Sequence, residues 1–346
     1  MNDHHKTFIA FVKLGQFLSD FCNGSTDQDI WEEKLRATIT LAGHKNGWFT
    51  EENILFSLKN WGELLTKEKL RHWLSDYKIE QNNAKKVALI MAGNIPLVGF
   101  HDFLAVLITG NNALIKLSTN DNVLTAFIVD YLIAAEPALA EYIQITDGKM
   151  EGFDAVIATG SNNTARYFEH YFSKGPHIIR KNRNSVAVLT GNETQEQLHA
   201  LGEDIFRYYG LGCRSVSKVF VPVGYTFDAF FEAIYSYHPI VEQNKYANNY
   251  DYNKAVYLMS EFKLFDNGFL MLKEDRHFAS PIASLFYEYY PALSDLKLRL
   301  EQDADKIQCI VSEGFMEGGV AFGQTQIPSL SDYADGVDTV DFLLKI

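Results

Sequence analysis

Apolar residues recur at intervals of three and four along the first part of the chain, which is the spacing of amphipathic helices. The pattern runs from His5 to about Leu74 and includes Phe8 and Phe11. Thr50 precedes an apolar run, and its side-chain oxygen can cap the first turn of a helix there. We therefore predict an N-terminal layer of helices that covers another part of the protein.

From Lys85 onwards, short apolar runs alternate with stretches of helical spacing. Short apolar runs bounded by turn residues indicate buried strands. Alternating strands and helices predict a parallel sheet with helices on both faces. The predicted strands are Val87–Met91, Ala113–Leu117, Ile143–Ile145, Asp154–Ala158, His177–Ile179 and Val186–Leu189, and the predicted helices are Phe100–Ile108, Val123–Ala135 and Asn163–Phe172.

A second α/β block is predicted from about Glu193 to Met316. The chain has 346 residues, which is long enough for two domains. The fold class predicted from the pattern is therefore α/β, with two α/β domains behind the helical layer. The further predicted elements are strands at Val216–Val221, Phe269–Leu272, Ile282–Phe286 and Ile307–Val311, helices at Phe227–Tyr235 and Lys254–Phe262, and a short closing element at Val340–Leu344.

Three turns of the first block, at residues 92–96, 116–119 and 159–163, carry small and polar residues after predicted strands. Ligands of parallel sheets bind beyond the carboxyl ends of the strands, so these turns are candidate ligand contacts. Lys116 has the charge and reach to contact a ribose or phosphate, although most lysines are simply solvated. Gly160-Ser161 can present N–H groups to an anion, although such a pair more often just caps a helix.

Cys213 is a candidate nucleophile in a short turn that contains Gly210 and Gly212. The residues before the turn have helical spacing, and Val216–Val221 after it is a predicted strand. Glycines let the backbone turn sharply and let a ligand approach closely. Arg214 lies next to the cysteine, and a nearby cation favours the nucleophilic thiolate. The alternative is a buried cysteine with a purely structural role.

The charge balance excludes some partners. The chain has 31 basic and 44 acidic residues and a net charge of −13, which argues against nucleic acid or an anionic membrane as a partner. The three cysteines (22, 213 and 309) are widely spaced and odd in number, which indicates a reducing compartment and a cytoplasmic protein. The apolar run Phe8–Val12 is too short and too closely flanked by lysines for a signal peptide or membrane span.

Several common active-site motifs are absent from the sequence. There is no GxGxxG, no HExxH and no GxSxG. The sequence therefore has no motif for a Rossmann dinucleotide site, a zinc protease or a serine hydrolase. Neither the cysteines nor His4-His5 have the spacing or the matching ligands of a metal site, so no metal is predicted.

The order of the candidate motifs is more informative than any single one. In sequence and order they resemble the aldehyde dehydrogenase superfamily. Within it, the stretch Gly93–Ser118 and the terminal stretch Tyr333–Thr339 resemble the LuxC-type acyl-CoA reductases. The resemblance extends from about Lys85 to the C-terminus. The motifs in order are Gly93-Asn94-Ile95-Pro96, Ile115-Lys116-Leu117-Ser118, Thr159-Gly160-Ser161, Val186–Leu189 and Gly212-Cys213.

The resemblance implies an aldehyde-dehydrogenase-like fold and a division of the chain into functional parts. Residues 1–82 form the helical layer on the cofactor domain, and residues 83–192 form the NAD(P)-binding domain with its parallel sheet. Residues 193–317 form the catalytic domain, and residues 318–346 return towards the cofactor domain. The resemblance also implies a homo-oligomer.

The resemblance assigns a role to each candidate site residue. Cys213 matches the family's nucleophile, and Asn94 matches the asparagine whose amide, with the cysteine N–H, binds the developing oxyanion. Lys116 matches the lysine that contacts the adenosine ribose, and Gly160-Ser161 matches the turn near the pyrophosphate. These roles are chemically reasonable, because a thiolate accepts an acyl group from a thioester and two donors stabilise the tetrahedral state.

Ser118 and Thr119 complete the expected cofactor-binding group and bear on the choice of cofactor. Members that prefer NAD hold a glutamate at the position of Thr119. Without that negative charge there is no repulsion against a 2′-phosphate, so we expect NADPH rather than NADH.

Two further departures from the superfamily pattern affect the expected chemistry. Aldehyde-oxidising members carry a glutamate that activates water to hydrolyse the acyl-enzyme, whereas residues 177–181 contain no acid. The acyl-enzyme should then persist until CoA or hydride reaches it, as a reductase requires. The motif whose glutamate holds the nicotinamide ribose is replaced around His277–Pro281, and its substitute is left open.

The expected reaction is the reduction of an acyl-CoA or acyl-protein thioester to an aldehyde through an acyl group carried on Cys213. A relative with a similar cysteine turn, γ-glutamyl-phosphate reductase, is an alternative, and its acyl donor is a phosphate. A catalytically silent member that binds a nucleotide or a partner is the alternative from another functional class.

Overall fold

The structure, a computed structural model, describes residues 3–25, 30–79 and 83–346. The backbone forms two compact units, Met1–Lys181 with Ser329–Ile346, and Asn182–Pro328. Each unit has its own sheet and is described by itself.

The regular elements follow the predicted order, and two of them, the strand Leu264–Asp266 and the helix Leu293–Gln302, were not predicted. The helices are α1 (Asp3–Cys22), α2 (Ile30–Lys45), α3 (Glu51–Leu64), α4 (Lys67–Leu74), α5 (Phe100–Ile108), α6 (Leu124–Ala135), α7 (Asn162–Phe172), α8 (Gln195–Phe206), α9 (Asp228–Ala233), α10 (Asn244–Met259), α11 (Leu293–Gln302) and α12 (Thr339–Lys345). The strands are β1 (Lys86–Ile90), β2 (Asn112–Lys116), β3 (Ile143–Ile145), β4 (Ala155–Thr159), β5 (His177–Arg180), β6 (Asn184–Val188), β7 (Val216–Pro222), β8 (Leu264–Asp266), β9 (Met271–Glu274), β10 (Ser284–Tyr290) and β11 (Ile307–Val311).

The predicted N-terminal layer of helices is confirmed as α1 to α4. Thr50 caps α3, and its hydroxyl accepts a hydrogen bond from the backbone N–H of Asn53. Helices α1 and α3 can pack closely because Gly62 has no side chain. A Cβ at this position would lie only 2.6 Å from Ser19 Oγ. Across the described ranges of the chain, no helix combines the length and the apolar character that crossing a bilayer would need.

The first sheet is parallel throughout, in the order β3-β2-β1-β4-β5, which confirms the predicted parallel sheet. One face, which includes Val87 and Leu89, packs in a core with α5 and the N-terminal helices. The other face, which includes Ala88, packs against Phe168 and Phe172 of α7. Because β1 is buried on both faces, its sequence reads as a continuous apolar run.

The second sheet has the order β11-β6-β7-β10-β9-β8, and its strands are parallel except at the β8–β9 edge. Helices α8 and α9 pack on one face and α11 on the other. Strand β6 pairs with β7 and β11, so Asn184–Val188 belongs to this sheet although the predicted domain limit was residue 192. The predicted limit at residue 82 lies outside the described residues.

Arg180 ties the C-terminal segment of the chain to the first unit. Its guanidinium forms a two-point ion pair with Asp102 of α5, at 2.6 and 3.2 Å. It also donates to the carbonyl of Ala334 (2.6 Å) and to the hydroxyl of Thr339 (2.9 Å). Since Arg180 is almost fully buried, the hydrogen bonds are needed to offset the cost of removing its charge from water.

The Tyr333–Thr339 motif is a second anchor of the same segment. The hydroxyl of Tyr333 accepts a hydrogen bond from Trp73 Nε1 (2.7 Å) and lies 2.8 Å from the hydroxyl of Tyr77. Tyr77 in turn donates to Asp338 (2.6 Å). The motif that resembles the LuxC-type reductases therefore has a structural role, because it joins the chain end to α4.

Replacing Arg180 by alanine should lower the free energy of unfolding of the first unit by about 3 kcal/mol, because it leaves the Asp102 carboxylate without its buried cation. The matched control is Lys181→Ala, which removes an ion pair with Glu169 whose side chains are 53% and 46% exposed, against 6% and 13% for Arg180 and Asp102. This exposed ion pair should contribute less than about 1 kcal/mol to the free energy of unfolding.

Urea titration followed by tryptophan fluorescence measures both variants, because all four tryptophans (31, 48, 61 and 73) belong to the first unit. Equal losses in the two variants would contradict the assignment of Arg180 as the anchor.

Candidate active site

The carboxyl ends of β1, β2 and β4 lie side by side at one edge of the first sheet. Strand β1 is central, and Ile90 pairs with Lys116 of β2 on one side and with Ala158 of β4 on the other. The chain builds the sheet outwards from β1 through β2 and β3 and then continues on the opposite side with β4. Such a switch point is where ligands bind to open parallel sheets.

The loop after β1 is held in place by close contacts on both sides. A Cβ on Gly93 would lie 2.6 Å from Ser118 Oγ, so only glycine fits where this loop meets the loop after β2. Ser57 donates a hydrogen bond to the carbonyl of Pro96 (3.1 Å). Leu97 has a φ of 57°, and its N–H donates to Asp121 Oδ2 at 2.9 Å. Asn94 is exposed within this anchored loop.

Lys116, Ser118 and Thr119 lie at the end of β2 and in the turn that follows. Lys116 is the last residue of the strand and is exposed, and its Nζ makes a long 3.5 Å contact with the carbonyl of Gly148. Ser118 Oγ accepts a hydrogen bond from Asn120 N (3.2 Å), and Thr119 is exposed.

Gly160 and Ser161 lie between β4 and α7. The hydroxyl of Ser161 caps α7 by accepting a hydrogen bond from Thr164 N at 3.3 Å. A Cβ on Gly160 would lie 3.1 Å from both Thr164 and Phe168, so the glycine keeps the helix close to the strand. The structure thus places six predicted residues along one edge of the first sheet: Asn94, Lys116, Ser118, Thr119, Gly160 and Ser161.

Asp121 is a residue of this edge that the sequence did not single out. Its side chain is buried, and burial raises its pKa to about 6, although hydrogen bonds from backbone N–H groups such as that of Leu97 oppose the rise. In the sequence it is one polar residue among several in a turn, and only its contact with the loop after β1 shows its importance.

Cys213 lies in the second unit, in the turn that joins α8 to β7, and is exposed. Its exposure excludes the alternative of a buried structural thiol. The chain enters the turn through Tyr208, Tyr209 and Gly210, which have φ values of 55°, 58° and 74°. Two consecutive tyrosines in the left-handed region carry a steric cost that the surrounding contacts must offset.

Hydrogen bonds fix the backbone around Cys213. Ser185 of β6 donates its hydroxyl to the carbonyl of Cys213 at 3.0 Å, and Ser215 N donates to the carbonyl of Gly212 at 3.0 Å. The hydroxyl of Ser215 lies 3.4 Å from Gln326 Nε2. The turn is therefore held by groups on β6 and on the segment near residue 326.

Arg214 has a structural contact that the sequence did not reveal. Its Nε donates a hydrogen bond to the carbonyl of Thr325. Thr325 is itself fixed by Asp204 of α8, which accepts from its N–H (2.9 Å) and its hydroxyl (2.8 Å). Burial raises the pKa of Asp204, while these hydrogen bonds act in the opposite direction. The effect of Arg214 on the thiolate stays a prediction.

Replacing Asp121 by asparagine should change how stability depends on pH. Since the pKa of Asp121 is raised in the folded state, protonation of this carboxyl stabilises the fold. The stabilisation is fully present below the ordinary carboxyl pKa and is lost as pH rises through about 6. The wild-type advantage over Asp121→Asn should therefore grow by about 1 kcal/mol between pH 7.5 and pH 5. Urea titrations at these two pH values measure it, and a difference that is independent of pH would contradict it.

Comparison with solved structures identifies the fold. Aldehyde dehydrogenase 21 from Physcomitrella patens, in complex with succinate, is similar with a TM-score of 0.68 and 11% identity over 100% of this chain and 84% of that chain. An indole-3-acetaldehyde dehydrogenase in complex with NAD+ is similar with a TM-score of 0.62 and 13% identity, over 89% of this chain and 75% of that chain. An NADP-dependent enzyme of E. coli is similar with a TM-score of 0.60 and 12% identity, over 87% of this chain and 73% of that chain. The predicted aldehyde-dehydrogenase-like fold is confirmed.

The family follows from the sequence. No curated protein sequence matches the chain. The model of the acyl-CoA reductase (LuxC) family, however, matches residues 34–234, which is more than half of the chain and includes Asn94, Lys116, Gly160 and Cys213. This protein is a member of the LuxC acyl-CoA reductase family and has an aldehyde dehydrogenase fold.

Proposed function

We propose that this protein reduces an acyl-CoA, or an acyl-protein thioester, to an aldehyde with NADPH, through an acyl group bound to Cys213. The observation that supports this most directly is the exposed Cys213, presented on a hydrogen-bonded turn before β7 in a chain of the acyl-CoA reductase family. An exposed thiol on a fixed backbone can attack a thioester without moving the turn.

The proposed acylation step uses groups of this chain alone. The Cys213 thiolate attacks the thioester carbonyl carbon, and the bond from that carbon to the donor sulfur breaks, so the donor leaves as a thiolate. The proposed donors to the developing oxyanion are the side-chain amide of Asn94 and the backbone N–H of Cys213. In other enzymes the loss of one such donor raises the barrier by roughly 3 kcal/mol.

A nicotinamide cofactor fits the residues at the carboxyl edge of the first sheet. Two of the similar structures are described with NAD+ or as NADP-dependent. The close packing at Gly93 and Gly160 keeps the loops compact, and Lys116 supplies an exposed positive charge. Lys116, Ser118, Thr119, Gly160 and Ser161 are the residues that would hold the cofactor. NADPH, when bound, supplies the hydride that reduces the acyl group.

The segment before β6 supports reduction over hydrolysis. Residues 177–181 contain no acid to activate water, and Arg180 is committed to the ion pair with Asp102. The acyl-Cys213 thioester would therefore persist until it is reduced. Collapse of the resulting thiohemiacetal releases the aldehyde and regenerates the Cys213 thiolate.

Replacing Cys213 by alanine should abolish both acylation and aldehyde formation, because no other nucleophile is proposed. The measurements are NADPH oxidation with acyl-CoAs of several lengths, trapping of the aldehyde, and the mass of the protein after incubation with acyl-CoA alone. Cys22→Ala, in α1 of the first unit, is the matched control and should keep full activity. Aldehyde formation by Cys213→Ala would contradict the proposal.

The same assay separates the alternatives. NADPH oxidation driven by an acyl phosphate and not by any acyl-CoA would favour a reductase of the γ-glutamyl-phosphate type. A protein that binds NADPH but whose Cys213 does not react with iodoacetamide would be a catalytically silent member.

Replacing Thr119 by glutamate should lower kcat/KM for NADPH by about tenfold or more, because the new charge repels the 2′-phosphate. The value for NADH should stay the same or rise. Thr119→Ser is the control that keeps the position neutral. An unchanged ratio of the two kcat/KM values in Thr119→Glu would show that this turn does not face the 2′-phosphate.

A further inference from the structure

The loop formed by residues 275–283 connects two parallel strands without a helix. It begins after β9 and returns to the start of β10, which pairs with β9 from Ser284↔Met271 to Tyr287↔Glu274. Parallel strands are usually joined by a longer crossover that includes a helix. The short connection must run along the sheet, so its side chains have definite neighbours.

Side chains of the second unit hold this loop at several backbone carbonyls. Lys218, which is fully buried, donates to the carbonyl of Asp275 at 2.8 Å. Ser217 donates to the carbonyl of Phe278 at 2.8 Å, and Asn253 donates to that of Ile282 at 2.9 Å. A loop held at three carbonyls presents its remaining side chains in fixed positions.

The charge of Lys218 is balanced locally. Its Nζ lies 2.6 Å from Glu288 Oε2, and Arg299 also binds the Glu288 carboxylate. Burial lowers the pKa of Lys218, while the ion pair with Glu288 opposes this shift. The Lys218 ammonium also lies 5.4 Å from the ring centre of Phe278, which adds a cation–π contact to the anchoring of the loop.

His277, with 85% of its side chain accessible, is an exposed ionisable group of this anchored loop, and the cationic Arg276 beside it is also exposed. Its Nδ1 lies 2.7 Å from Asp275 Oδ1, and its backbone N–H donates to the same oxygen at 2.9 Å. Burial disfavours the charged form of Asp275, but hydrogen bonds from Lys273 and His277 outweigh this and lower its pKa to about 2.

These contacts determine the tautomer of His277. A charged carboxylate can only accept hydrogen bonds, so Nδ1 carries the proton and donates it to Asp275. In the neutral ring, Nε2 is then the unprotonated nitrogen, on a side chain that solvent and ligands can reach. An imidazole oriented in this way by a carboxylate is a typical general base.

The loop is connected to the turn of Cys213 within the same unit. The hydroxyl of Ser217 binds the carbonyl of Phe278, the residue after His277, and lies 3.4 Å from the carbonyl of Ser185. The hydroxyl of Ser185 binds the carbonyl of Cys213 at 3.0 Å. Two serines therefore join the backbone beside His277 to the backbone of Cys213.

We propose that His277 is the general base that takes the proton from the Cys213 thiol, with Asp275 as the positioning residue that sets its tautomer. This inference rests on the proposed function for the acyl transfer that follows. The S–H bond of Cys213 breaks as Nε2 of His277 takes the proton, and the sulfur bonds to the thioester carbonyl carbon. The bond from that carbon to the CoA sulfur then breaks, and the departing sulfur takes the same proton from His277.

The proton balance closes over the whole reaction. One proton moves from Cys213 to His277 and then to CoA, so acylation consumes none. Hydride addition to the acyl group gives the thiohemiacetal as its alkoxide. The alkoxide collapses to the aldehyde and the Cys213 thiolate, which takes one proton from water. The sum is one acyl-CoA, one NADPH and one proton converted to aldehyde, CoA and NADP+.

The test that needs neither acyl donor nor cofactor is the alkylation of Cys213 by iodoacetamide as a function of pH. The rate is followed by mass spectrometry on the peptide that contains Cys213, so the other two cysteines do not interfere. His277→Gln should lower the rate at pH 7 by at least about tenfold, and the difference should vanish near pH 10, where the thiol ionises unaided. The side chain is exposed, so the variant should fold.

Two further variants make the test specific. His238→Gln replaces another exposed histidine of the second unit and should leave the alkylation profile unchanged. His277→Ala should regain part of its acylation rate when free imidazole is added, because the side chain is accessible. Acylation is read as CoA released from acyl-CoA in the absence of NADPH, and His277→Gln should slow it by about a hundredfold.

The outcomes distinguish this inference from the proposed function. If wild type and His277→Gln show the same alkylation profile, His277 is not the base, whether or not the wild type reduces acyl-CoA. If the wild type reduces no acyl-CoA but the alkylation of Cys213 depends on His277, the assignment of His277 as the base is supported and the proposed reductase activity is wrong.

Discussion

The pairing of β1 with β2 and β4 is the interaction on which the arrangement of the first unit depends. All three strands are parallel, so their carboxyl ends, and the loops that follow them, meet at one edge of the sheet. The close approach of Gly93 to Ser118 then brings the loops after β1 and β2 into direct contact, with no room for a side chain at residue 93. Residues far apart in sequence share this edge because the backbone hydrogen bonds of the strands fix their register.

The second unit presents its cysteine by a different means. The turn before β7 contains two tyrosines in a left-handed conformation, which an unsupported loop would avoid. Ser185 and Ser215 bind the backbone on either side of the thiol, and the buried ring of Tyr208 fixes the entry to the turn. The exposed Cys213 side chain is the proposed nucleophile, so the strained backbone lies next to the proposed chemistry.

Much of the fold could be predicted because its signal is local. Helix α5 (Phe100–Ile108) and strand β11 (Ile307–Val311) have the predicted limits, since apolar runs of these lengths are bounded by turn residues. Helix α10 was predicted only in its second half. Its buried positions, at Tyr246, Tyr250, Asn253 and Tyr257, keep helical spacing, but three of them carry hydroxyls and one an amide, so hydrophobicity alone does not reveal them.

The candidate site was harder to derive, because it depends on contacts between distant parts of the chain. The glycines and Cys213 could be recognised from their order along the sequence. Asp121 could not, since its significance comes from burial and from the N–H of Leu97. The contact between Arg214 and Thr325 joins residues 111 positions apart, and nothing in the local pattern indicates it.

The place of residues 329–346 in the first unit has a consequence for the order in which the protein can fold during synthesis. The second unit is continuous in sequence, so all of its strands are synthesised before the last helix of the first unit. Until then Arg180 and Asp102 lack Ala334 and Thr339, and the surface that α12 will cover is open to water. The first unit therefore cannot be completed until every residue of the second unit has been synthesised.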